Sequence, residues 1–134
     1  MAKSDYLESG YLTHVLRTGS LSKPSGIYVA LFTSATSDNG SGTEVSGGSY
    51  ARVQHGPSDA TWSAIGSIGQ TQNIGEIQYA DPTANWGTVT HFALMDAASG
   101  GDMLYHGPLA ASKVINSGDG GPKFSDGSLI VTES

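Results

Sequence analysis

The stretch ANWGTVTHFALMDAASGGDMLYHGPL, residues 84–109, sets His91 and His106 on either side of Gly100 and Gly101, with Asp96 and Asp102 between them. Imidazole and carboxylate groups bind transition metals and move protons near neutral pH. If the stretch is a hairpin with Leu94 opposite Met103, His91 faces His106 and the two imidazoles share one face. A one-residue slip puts them on opposite faces. Zinc needs a third and a fourth ligand, and Asp96 and Asp102 are the nearest candidates. The histidines, His14, His55, His91 and His106, form no HxH, HxxxH or HExxH pattern. The stretch therefore reads as architecture. Val89, Phe92, Leu94, Met103 and Leu104 supply core, the glycines make the turn, and Asp96 and Asp102 bracket it through backbone hydrogen bonds.

Other chemistry-bearing positions read the same way. Asp38, Asn39 and Glu44 lie in a loop rich in oxygen ligands that lacks the alternating order of a calcium-wrapping EF-hand. Neither this loop nor SGDGGPKFSDG is followed by Lys-Ser/Thr and a helix, so neither cradles phosphate. There is no G-x-S-x-G elbow, and the carboxylates sit almost entirely in turns. Trp62 and Trp86 stand beside apolar positions, which favours core or interface over sugar stacking. The expectation is a protein that is not an enzyme and has no metal and no cofactor.

The elements that position these residues are mostly short strands. SDYLESGYLTHVLRTG predicts the one helix, with Asp5 as cap, Glu8 three residues on, and Gly19 past its end. Leu7, Tyr11 and Val15 recur at four-residue steps, widened by Leu12 and Leu16. The stripe covers one end of a sheet or meets another subunit. Residues 27–32 read as a strand buried on both faces. Residues 35–50 are a long polar loop, too poor in apolar area to fold on itself. YARVQH, a weak strand in ATWSAIGSIGQTQ, NIGEIQYA with a bulge at Gly75, TVTHFALMD, GDMLYHGPLA, KVIN and SDGSLIVTES complete the strands. The expected fold is all-β: an antiparallel β-sandwich or small barrel of about seven or eight strands with one short N-terminal α-helix. Residues 1–134 form a single β domain, of which 1–19 is a helical arm.

Composition narrows the partners. Net charge is −6, and the six Lys and Arg residues are dispersed, which argues against nucleic acid. No run approaches the ~18 apolar residues of a membrane span, and the N-terminus is too polar for a signal-peptide core. The chain has no cysteine, which removes disulfides and thiolate chemistry.

YVALFTS, GTEVSGGSYAR and WGTVTHFALMDAASGG, in this order and spacing, resemble a family of small virion proteins of tailed bacteriophages. That family is labelled phage tail-fibre-like, and some members are treated as head-decoration (cement) proteins. The resemblance covers nearly the whole chain and carries no catalytic residues. It implies a structural role in a virion. The chain has no heptads and no repeat from which to build a shaft. The expected function is therefore capsid decoration: a homotrimer bound to the major capsid protein on the phage head surface, made in the host cytoplasm. The alternative is a tail-fibre or tail-tip module that binds a host surface receptor through loop 35–49 and Trp62. Leu7, Tyr11, Leu12, Val15, Leu16, Tyr28 and Phe32 are the expected self-association or capsid contacts.

Overall fold

The computed structural model describes residues 1–133. Among them are β1 (Ala2–Lys3), α1 (Asp5–Leu16), β2 (Tyr28–Phe32), β3 (Val53–Gln54), β4 (Gln70–Gln72), β5 (Ile77–Gln78), β6 (Gly87–Met95), β7 (Met103–Ile115), β8 (Lys123–Phe124) and β9 (Ile130–Thr132). The class is all-β, as the strand spacing predicts. β1, β3, β5 and β8 are only two residues long, and β1 carries no strand signal in the sequence.

A five-stranded antiparallel sheet in the order β1-β7-β6-β2-β3 carries the fold, with ribbons β4-β9 and β5-β8 beside it. β2 is buried on both faces because its alternate residues feed two clusters. Val29 and Leu31 join Phe92, Leu94, Ile77 and Leu129 beneath the ribbons. Ala30 and Phe32 join Ala93, Met95 and Met103 on the opposite face. That second face is roofed by the polar loop and the start of α1, since Asp38, Asn39 and Gly40 share a small cleft with Ser4, Asp5, Met95 and Met103.

The polar loop is held from outside itself. Thr33 N donates to Thr43 O (2.8 Å) and Val45 N to Leu31 O (2.9 Å), so the returning chain lies along β2 and buries Val45. Arg52 then clamps loop to hairpin. Its Nε and Nη2 donate to the two oxygens of Glu44 at 2.9 and 2.8 Å, while Nη1 donates to Ala97 O and Gly100 O, both at 2.8 Å. Tyr50 Oη donates to Glu44 and accepts from Leu31 N. Burial pulls the Glu44 carboxyl up, but the Arg52 and Tyr50 hydrogen bonds outweigh it and hold it below its ordinary value. Burial also pushes the Tyr50 phenol well up.

The β6–β7 hairpin forms across residues 96–102. Asp96 Oδ1 accepts from Asp102 N at 2.7 Å, the bracket its sequence suggests. Gly100 and Gly101 both adopt left-handed φ, +61° and +71°, which side chains disfavour. The register differs from the pairing of Leu94 with Met103: Leu94 lies opposite Tyr105, and Met103 opposite Met95. A larger irregularity follows, because Val89 pairs with Lys113 while His91 pairs with Pro108. Thr90 alone therefore faces residues 109–112 of β7, and the strand bulges away from its neighbour.

Three further expectations change. NIGEIQYA forms strand only at Ile77–Gln78, and Gly75 sits in a bend rather than a bulge. The cause is Asn73, 1% exposed, whose amide bonds Gly75 O, Ser125 O and Leu129 N and so turns the chain. The helix cap is Ser4, not Asp5: Leu7 N donates to Ser4 Oγ at 3.2 Å. Ser4 is fixed there because its hydroxyl also donates to Met103 O and its amide to Leu104 O, which ties the helix start to β7. The helix ends at Arg17, before Gly19 is reached.

Candidate functional site

α1 is the element whose packing is least explained by the fold. None of its residues is buried. At 100° per residue, Leu7, Gly10, Thr13 and His14 share the side turned toward the chain. That side is poor in apolar area, and Leu21 lies directly against Gly10. Tyr11 turns sideways, under Lys3 at 5.3 Å from its ring. Leu12, Val15 and Leu16 point outward and are 56%, 56% and 74% exposed. The same arc carries Glu8 one turn and Asp5 two turns before Leu12. The outer face is thus acidic at its N-terminal end and apolar at its C-terminal end, the reverse of the pattern by which a surface helix packs on its own core.

The other expected contacts lie elsewhere. Phe32 is 4% exposed and Tyr28 half-buried, both in the second cluster, so neither joins the outer face of α1. Leu7 is half-buried on the inner side of the helix.

Two grooves line the face covered by the ribbons. The larger, about 570 Å3, opens where β7 bulges from β6, and its walls include Val89, Phe92, Leu109, Ile115, Phe124 and Leu129. The second, about 450 Å3, lies beside Trp62, Leu94, Tyr105 and Val131, with Glu133 at its edge. Glu133 bonds Lys3 and the Tyr105 hydroxyl, which joins the two ends of the described chain. Trp62 is half-buried, donates Nε1–H to His55 O at 2.9 Å, and packs edge-on to the His55 ring. Trp86 is core.

His91 and His106 do share one face, but diagonally: His106 lies opposite Ala93, two residues from His91. They are not brought together with Asp96 and Asp102 as ligands. No group of three or more His, Asp or Glu able to hold a metal exists among the described residues. His106 instead takes Thr36 Oγ1 on Nδ1 at 2.7 Å and Asp38 Oδ1 on Nε2 at 2.8 Å. A hydroxyl, imidazole and carboxylate in series is the order that activates nucleophiles in hydrolases. Here its structural effect is to pin the polar loop to β7. Thr36 and Asp38 lie some seventy residues from His106 in sequence, so no local motif could have shown the contact. No helix of the described residues is long and apolar enough to cross a membrane.

A family model described as podophage GP4 fiber I protein gp80 matches residues 2–132. The chain belongs to that family. It is a phage structural protein of fibre-like type, and the match spans both α1 and every strand of the sheet. No curated protein matches the chain.

Proposed function

We propose that this chain is a non-enzymatic building block of the virion, a fibre component held to neighbouring subunits by the outer face of α1. The observation that carries this reading is the orientation of the helix. Leu7, Gly10, Thr13 and His14 turn toward the chain, the last three against Gly19 and Leu21 just beyond the helix, while Leu12, Val15 and Leu16 face solvent. A helix of twelve residues is marginal in water without tertiary packing, and this one has little. A subunit interface supplies what the core does not. Many identical copies on a symmetric particle then make each modest contact effective.

Capsid decoration, with contacts to the major capsid protein and a homotrimeric state, is a second reading. It is favoured by the short strands and the lack of any repeat that would build a shaft. The test is made on phage carrying Leu12→Asp/Leu16→Asp. Virions lacking the protein, with the purified variant still folded, support the reading; normal incorporation refutes it. In wild-type virions, copies comparable in number to the major capsid protein indicate decoration. A few copies per particle indicate a fibre.

A further inference from the structure

The large groove beside β7 and the outer face of α1 are complementary, and we infer that the groove of one copy receives the helix of a second copy. The inference rests on the reading of α1 as an interaction face and names the surface that receives it.

Charge distribution selects this pair. The outer arc of α1 runs Asp5, Glu8, Leu12, Val15, Leu16, two carboxylates followed by three aliphatic side chains. The large groove has an apolar floor and two ammonium groups in its lining, Lys113 and Lys123. Lys123 meets Glu76 at 2.9 Å, both well exposed, a pair worth little and easily exchanged. Lys113 is exposed and makes no ion pair among the described residues. The smaller groove has no ammonium group in its lining, and its one charged residue, Glu133, is already paired with Lys3, so it offers the two carboxylates no partner.

Strand addition is the competing use of the same region, since β1 pairs with β7 only at Tyr105 and His106. The open edge beyond carries Pro108, a bulge over residues 109–112, and Lys113. These are three devices by which edges resist pairing. A helix in the groove needs no backbone pairing and is compatible with all three.

The contact is heterologous: each copy offers a helix to one neighbour and a groove to the other, so it closes into a ring or runs on as a filament. That property gives a sharp test by analytical ultracentrifugation of the full chain. Wild type is expected to associate. Leu12→Asp, which damages only the helix face, and Ala111→Glu, which places a carboxylate in the groove lining at an exposed position, are each expected to be monomeric. Mixed in equal amounts, they retain one intact helix and one intact groove between them and should form dimers that grow no further. Charge exchange supplies a second arm, with Glu8→Lys and Lys113→Glu each weakening association and the double variant recovering it. A mixture that stays monomeric, or a double variant no better than the singles, overturns the inference. So does a wild-type chain that is monomeric throughout. In that case, loss of Leu12→Asp but not Ala111→Glu from virions would show that α1 docks on a different virion protein, leaving the reading of α1 intact.

Discussion

The β6–β7 hairpin and α1 carry similar apolar side chains, yet they meet opposite fates. Val89, Phe92, Leu94, Met103 and Leu104 are all buried, while Leu12, Val15 and Leu16 stay in water. Beside its turn the hairpin sends side chains to both faces, so each strand serves a cluster on either side and, of its large apolar residues, only Val114 is left exposed. The helix is tied to the sheet at its start, through Ser4, and its later turns touch only the segment that follows, where His14 accepts from Leu21 N and Gly10 lies against Leu21. An apolar stripe marks a surface that will be covered; which molecule covers it depends on where the rest of the chain already is.

The contrast is sharpest where the core is cut. Ile115 is 2% exposed at the end of β7. Ile115→Ala should cost about 2–5 kcal/mol through lost burial and a residual cavity, read as a lower urea midpoint. A cost near zero would mean that the large groove reaches further under β7 than its walls indicate.

Next in size is the Glu44–Arg52 clamp, whose arginine side chain is only 7% exposed. Glu44→Gln should cost roughly 2–3 kcal/mol by leaving a guanidinium half-paired in a partly buried site. Because the folded carboxyl lies below its ordinary value of 4.5, it holds fewer protons than the unfolded one. Its stabilisation is complete above that value and is lost as pH falls through the lower, folded one. Unfolding measured between about pH 6 and pH 3 should show a shallower decline in Glu44→Gln than in wild type. Equal slopes would remove the clamp from the account.

Ser4→Ala should cost about 1–2 kcal/mol, since both the N-cap and the bond to β7 disappear. The loss should be local, with amide exchange rising over residues 5–16 more than over β6. Smallest of all, Leu12→Asp/Leu16→Asp should change the stability of the free chain by no more than about 0.5 kcal/mol. A large destabilisation would turn the outer face of α1 into core and break the comparison.

The central hairpin was legible. The strand TVTHFALMD and the Asp-bracketed Gly-Gly turn lead directly to β6, its turn and β7, and Val89, Phe92, Leu94, Met103 and Leu104 are core as read. What the chain conceals is contact across long separations. The loop over residues 35–50 looks self-insufficient, and it is; Arg52, Tyr50 and His106, each unremarkable in sequence, supply its anchors. Asn73 looks like a strand residue and acts as a buried corner. The helix was legible as apolar, but its direction was not, because that depends on Ser4 being tied to Met103, far along the chain. The groove depends on the bulge opposite Thr90, which no local pattern in PLAASKVI announces.

The central claim is that α1 is completed by another subunit. Hydrogen exchange over residues 5–16, measured on the free chain at low concentration and on intact virions, tests it most directly. Exchange should be rapid in the free chain and slowed at least about tenfold in the particle, with β6 protected in both. Equal exchange of α1 in the two states would contradict it.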